Sequence, residues 1–357
     1  GPAARHSMAS LTSPETTAKY RFPVEDTTTW YQHLQQHGYV VIAHALAPAQ
    51  VEQARGKLWS DMERIWPGSS QDYSKMQLPV HGLAPELCQS AGAWDVRGNP
   101  RIKQAYDHIW NDTELITSMD CVAVWRPWSK RLNQKKPRTE GLHLDQNPFS
   151  KPHLECVQGM VPLYPVTPQV GGLAVVPGSH TKEAKGAIKE KYPRWKQSGD
   201  WCPIPKRDVE LYDAQVLVEA EAGDLILWDS RTVHGGVVGT GGGGGSKGRK
   251  EEVKEEKEEV KEEDQTNGTG VDAREWGTAL VRLSVTVSMT QRSRASPSCL
   301  DLRKEGYEKG LCFNHTPHEA GTSTGTIQVA HMDASYVPCA LSPKQWQLLN
   351  GTSDGDT

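Results

Sequence analysis

Between residues 26 and 66 the apolar positions recur at helical spacing, whereas from residue 121 they come in short runs cut by Gly, Pro and Asp. That change of period guides the reading, because a helix repeats a face every ~3.6 residues and a strand every ~2. In "DTTTWYQHLQQHG", Asp26 and Thr27 are cap-like, Trp30, Leu34 and His37 make an amphipathic turn, and Gly38 breaks it. "YVVIAHAL" then reads as a short strand. "APAQVEQARGKLWSDMERIW" predicts a second helix, with Pro48 at its start and Val51, Ala54, Leu58 and Met62 as its buried stripe. A third helix is expected in "NPRIKQAYDHIWND".

The later runs are "CVAVWRPW", "HLECVQGMVPLYPV", "GGLAVVPGSH", "QVLVEAEAGDLILWDS" and "ALVRLSVTVSMT". They predict a mainly β (α+β) fold: an antiparallel core over about residues 115–295, with helices packed from the N-terminal side. Double-sheet jelly rolls and cupins fit that pattern. One segment, about 239–274, is foreign to it. It runs from a glycine tract into dense Glu and Lys, and Val253 and Val260 alone cannot make a buried face, so a solvated insertion is expected. The extension from about 296 to 357 is polar and turn-rich, with one short helix at "SPKQWQLLN", and is expected to wrap the core. Residues 1–8 read as a tag remnant ending at Met8, leaving 9–357 as a single domain.

Composition narrows the classes. A net charge of −4 offers no basic surface for nucleic acid. Seven cysteines without a CxxC pair read as free thiols in a reducing, cytoplasmic setting. No apolar run approaches the ~20 residues that span a bilayer. Nothing in the pattern speaks to oligomeric state.

The candidate chemistry begins with His and carboxylate pairs one residue apart, which on a strand face the same way and can share a metal. Three are present: His143/Asp145, His153/Glu155 and His331/Asp333. A third ligand on a neighbouring strand would complete the two-His, one-carboxylate triad suited to non-haem Fe(II). His234 fits, because the apolar stretch Leu225 to Trp228 leads into a turn that presents it, and glycines follow. On "ALVRLSVTVSMT", Arg282 stands among apolar neighbours, where a charge is costly unless paired. It is either salt-bridged within the protein or an anchor for a dicarboxylate. His234 and Arg282 lie 48 residues apart, too far for successive strands, but removing 239–274 takes out 36 and leaves 12. The remaining candidates carry blander expectations: His180 in "PGSH" a structural role in its turn, and most tryptophans, including Trp30, Trp59, Trp66, Trp94, Trp110, Trp125 and Trp128, core packing.

The order "HLD … GGLAVVPGSH … GDLILWDSRTVHGG … RLSVTVSMT" resembles the phytanoyl-CoA dioxygenase branch of the Fe(II)/2-oxoglutarate-dependent oxygenases, over about residues 30–290. The resemblance implies a double-stranded β-helix core and an enzyme that uses Fe(II), 2-oxoglutarate and O2. It implies iron on His143, Asp145 and His234, with Arg282 on the distal carboxylate of 2-oxoglutarate. Arg126 stands where relatives place a further basic residue toward the cosubstrate, and Ser284, two residues beyond Arg282, adds a hydrogen bond from the same face. Glu155 or Gln158 is then a neighbour of the site. Asp145 argues against a halogenase, in which that carboxylate is replaced. The implied reaction oxidises, most simply hydroxylates, a small molecule with release of succinate and CO2. Desaturation, cyclisation, a peptide substrate, or a non-catalytic cupin-like binding protein are the alternatives. Arg131, Lys135, Lys136 and Arg138 suit an anionic substrate.

Overall fold

The first helix, α1 (Thr27–His37), starts where Asp26 accepts a hydrogen bond from the Thr29 amide and stops at Gly38, whose φ of 79° suits a residue without Cβ. Helices α2 (Pro48–Ile65), α3 (Ala91–Arg97) and α4 (Pro100–Trp110) follow, and α2 buries Val51, Ala54, Leu58 and Met62 as its stripe requires. The computed structural model describes residues 20–78, 81–126, 136–240, 282–320 and 336–351. The expected tag, most of the insertion, Trp128, Arg131, Lys135 and the His331/Asp333 pair lie outside the described residues.

The strands in chain order are β1 (Arg21–Pro23), β2 (Tyr39–Ala43), β3 (Leu83–Ala84), β4 (Leu115–Thr117), β5 (Val122–Trp125), β6 (His143–Leu144) and β7 (Val157–Pro162). They continue as β8 (Gly171–Val175), β9 (Cys202–Pro203), β10 (Val216–Leu217), β11 (Leu225–Asp229), β12 (His234–Val238), β13 (Arg282–Thr286) and β14 (Met289–Gln291). Seven form one sheet in the order β1-β2-β11-β7-β13-β5-β3, and five a second in the order β10-β8-β12-β6-β9; β14 pairs with β4. Every pairing is antiparallel except β1 with β2.

The large sheet reaches back to Arg21, outside the expected 115–295 span, because the chain entering α1 supplies its edge. Asp224, wholly buried, ties that edge down by accepting from Arg21 Nε at 2.9 Å and from the His44 and Glu221 amides at 2.9 and 2.8 Å. Three expected runs end differently. "HLECVQGMVPLYPV" is extended only from Val157, the run before Asp229 is two strands, and a polar stretch read as turns forms the helix Pro297–Lys309.

Alternation sorts the large sheet's two faces. Val40, Ile42, Val122, Val124, Val157, Val161, Leu225, Leu227, Leu283 and Val285 pack outward on the stripes of α1, α2 and α4, forming the main core. Tyr39, Val41, Met160, Ile226 and Trp228 turn the other way and pack with Leu173 and Val175 of the small sheet. Arg282 and Ser284 share that inner parity, as the registers Arg282↔Trp125, Ser284↔Ala123 and Ser284↔Pro162 require. The small sheet's back, with Leu142, Leu144 and Val233, is covered by Ile188 and Trp195 from the helical stretch after residue 181.

Candidate metal centre

His143 and His234 stand directly opposite each other in the β6–β12 register, so their imidazoles leave the small sheet side by side, ring centroids 4.5 Å apart. Asp145, two residues beyond His143, closes the group. Its Oδ1 lies 3.5 Å from His143 Nε2 and its Oδ2 3.2 Å from His234 Nε2. One ligand atom from each of the three lies within 4.8 Å of the others. His143 is 6% and His234 3% exposed.

Both rings are oriented by backbone. Nδ1 of His143 meets the Gly141 carbonyl at 2.9 Å, and Nδ1 of His234 meets the Thr232 carbonyl at 2.9 Å. A carbonyl only accepts, so each Nδ1 turns a proton to the backbone and each Nε2 faces the centre, where a metal would displace any proton it holds. Gly235 allows this closeness: a Cβ there would meet the Gly141 carbonyl oxygen at 2.2 Å. Gly235→Ala should therefore separate β12 from β6, lower stability by about 1–3 kcal/mol, and weaken metal binding; thermal melting with and without added metal measures both.

The electrostatics are those of a cation site. Burial raises the Asp145 carboxyl, but His143, His315 and His234 outweigh it and hold the group well below the usual carboxylate range. Burial lowers His143, yet Asp145 pushes it up to about 9. The pair thus keeps a proton that a divalent metal would displace.

The Arg282 guanidinium is 7% exposed and lies 4.5 Å over the Trp125 ring, with Nη2 against the Met160 sulfur at 3.4 Å. Burial brings it down to about 10, with Glu140 acting the other way, so it stays charged at neutral pH. No described carboxylate lies within ion-pair distance, and its Nε and the wholly buried Ser284 Oγ lack a hydrogen-bond partner among the described residues. A buried cation beside an orphan hydroxyl fits a carboxylate ligand.

Other expectations separate. Arg126 donates to the Met76 carbonyl, and Met76 belongs to the core on the outer side of the large sheet. Where the chain leaves Trp125, Arg126 thus turns to a backbone acceptor, and its Nε has no hydrogen-bond partner among the described residues. Glu155 is not at the centre: its carboxylate pairs with Arg294, and His153 is exposed. Gln158 is, since its Nε2 donates to Asp145 Oδ2 at 3.1 Å. His180 holds its turn through Nε2 and the Gln35 carbonyl at 2.9 Å. Trp30, Trp66, Trp94 and Trp125 are buried. Sequence reasoning missed His315, with Nδ1 3.9 Å from Asp145 Oδ2, and Trp201, 6.3 Å from the His143 ring and 55% exposed. Both come from loops whose pattern has no period to read.

The family profile described as "Phytanoyl-CoA dioxygenase (PhyH)" matches residues 34–238, more than half of the chain. Ava biosynthesis cluster protein O of Aspergillus versicolor is 25% identical over 244 residues, covering 59% of this chain and 73% of that protein. Among solved structures, the epimerase SnoN in complex with Fe3+, alpha ketoglutarate and nogalamycin RO aligns with a TM-score of 0.46 at 15% identity, covering 75% of this chain and 84% of that one. The carbocyclase SnoK from nogalamycin biosynthesis gives 0.44 at 15% identity, covering 75% and 86%.

Proposed function

This chain belongs to the phytanoyl-CoA dioxygenase family of Fe(II)/2-oxoglutarate-dependent oxygenases, and on that premise we propose that it hydroxylates a small molecule, using His143, Asp145 and His234 to hold iron and Arg282 to hold 2-oxoglutarate. The observation that carries the reading is the pairing of two sites. A convergent His-Asp-His group projects from the small sheet, and an arginine without a carboxylate partner among the described residues lies on the large sheet's inner face. Two facing antiparallel sheets with the site between them support a double-stranded β-helix as the core architecture.

When bound, iron and 2-oxoglutarate supply oxidation of a substrate C–H bond by O2, coupled to release of succinate and CO2. The chain's own residues set this up. Backbone carbonyls fix the His143 and His234 tautomers so that both Nε2 atoms point inward. Arg282 would meet the distal carboxylate, and Ser284, whose hydroxyl has no partner among the described residues, would donate to it. Trp125 and Met160 keep water from the guanidinium, which strengthens the ion pair. Iron held by these three residues would keep positions open for cosubstrate and O2. Lys136 and Arg138, exposed just ahead of His143, support an anionic group on the substrate, and the name of the Aspergillus relative supports a biosynthetic small molecule.

The test is succinate formation from 2-oxoglutarate by the purified chain with Fe(II) and ascorbate, followed with and without a panel of small organic acids and their esters. Iron-dependent succinate, raised by a substrate that gains one oxygen atom, is expected. Iron-independent turnover, or none with any addition, would overturn the reading.

A further inference from the structure

The two oxygens of Asp145 keep different company. Among the described residues, Oδ1 has His143 Nε2 as its polar neighbour, at 3.5 Å. Oδ2 accepts from Gln158 Nε2 at 3.1 Å, lies 3.2 Å from His234 Nε2, and has His315 Nδ1 at 3.9 Å. His315 belongs to neither sheet. It stands in the C-terminal extension, between the helix Pro297–Lys309 and the short helical turn Pro317–Glu319.

That segment is built in, not draped over the site. The Phe313 amide donates to the Met119 carbonyl at 2.7 Å, and the Cys156 thiol to the His315 carbonyl at 3.4 Å. The wholly buried Arg303 donates to the Pro317 carbonyl at 3.2 Å. Lys151 joins Glu319 at 2.6 Å to Asp200 at 2.7 Å, one residue before Trp201. Between these ties, Asn314 Oδ1 accepts from the Thr316 amide at 2.9 Å and folds the chain about His315. The His315 ring also lies in the field of the Asp120 carboxylate.

We propose that His315 is a positioning residue of the metal centre: with Gln158 it holds Oδ2 of Asp145, so that the carboxylate offers the metal Oδ1 alone. This rests on the iron reading above. A carboxylate bound through both oxygens would take a coordination position that the cosubstrate or O2 needs. The Gln158 hydrogen bond and the neighbouring His315 imidazole both engage Oδ2 and compete with the carboxylate's second bond to metal. At 3.9 Å His315 Nδ1 stands at ion-pair distance from that oxygen. The C-terminal extension is thereby part of the centre, not a wrapping.

The test uses the full chain with Co(II), whose visible spectrum reports coordination number, and anaerobic Fe(II) with 2-oxoglutarate, whose charge-transfer band reports chelation. His315→Ala should weaken Co(II) binding about 10- to 100-fold, as loss of a group orienting a ligand does, and change the Co(II) spectrum. His315→Asn, whose amide nitrogen falls near the position of Nδ1, should restore both. His315→Gln, which reaches the position of Nε2, should not. Wild-type affinity and spectrum in His315→Ala would overturn the proposal, as would equal rescue by Asn and Gln, the mark of a packing role. If the unmodified chain binds no Co(II), while folding is shown intact by melting, the iron reading itself fails and takes this proposal with it.

Discussion

Asp145→Ala is expected to abolish metal binding and succinate formation together while leaving the fold in place. Asp145 sits just past the end of β6 and makes its contacts with His143, His234, Gln158 and His315, not with the apolar cores. Its removal takes away the single anion among those groups, so a divalent cation would meet two imidazoles and a neighbouring third with no charge to offset its own. The loss should amount to several orders of magnitude in turnover, with the melting temperature moving by only a few degrees. Glu155→Ala is the matched control. Its carboxylate pairs with Arg294 away from the centre, so equilibrium dialysis with Fe(II) should show one bound metal in that variant and none in Asp145→Ala. Metal retained by Asp145→Ala at wild-type affinity would sink the assignment of this triad.

Arg282→Ala should spare the metal and remove the cosubstrate. Truncating one partner of a buried, hydrogen-bonded ion pair costs about 2–5 kcal/mol, roughly 30- to 4,000-fold in affinity. The rise should fall on the apparent Kd of 2-oxoglutarate while Co(II) binding stays within a few-fold. Without cosubstrate the same variant should be at least as stable as the parent, because an uncompensated buried cation destabilises the fold that holds it. That sign separates the two roles of a buried arginine. A residue salt-bridged for structure would lose stability on truncation, and one waiting for a ligand would gain it. Arg282→Lys keeps the charge but not the two-pronged geometry and should recover only part of the affinity. Unchanged 2-oxoglutarate binding in Arg282→Ala would require another anchor.

Much of this was legible in the chain, for identifiable reasons. The helices α1, α2 and α4 follow from stripes at helical spacing, and the inner position of Arg282 and Ser284 from strand alternation. His143 and His234 could be paired because both sit at the beginnings of strands, where neighbouring residues fix their direction. Arg126 stands just past the end of a strand, where alternation no longer governs a side chain, and it donates to the Met76 carbonyl. Glu155 was a plausible rival only while "HLE" was read as extended; the strand begins at Val157, and the carboxylate is free to reach Arg294. His315 was out of reach. Its approach to Asp145 comes from ties between segments far apart in sequence, among them Lys151 to Glu319 and Phe313 to Met119, and sequence patterns carry periodicity along a segment, not the meeting of two irregular ones.

The place of β13 has a consequence for how the protein is made. In the large sheet it lies between β7 and β5, yet both neighbours precede it in the chain by more than a hundred residues. A chain emerging from the ribosome therefore presents two unpaired strand edges, at Val122–Trp125 and Val157–Pro162, until the strand that joins them has been synthesised. Open apolar edges of this kind recruit other chains. Fragments ending before Arg282 should accumulate in the insoluble fraction even though they contain all three metal ligands, and the long charged stretch just ahead of Arg282 prolongs the interval in which a nascent chain needs protection.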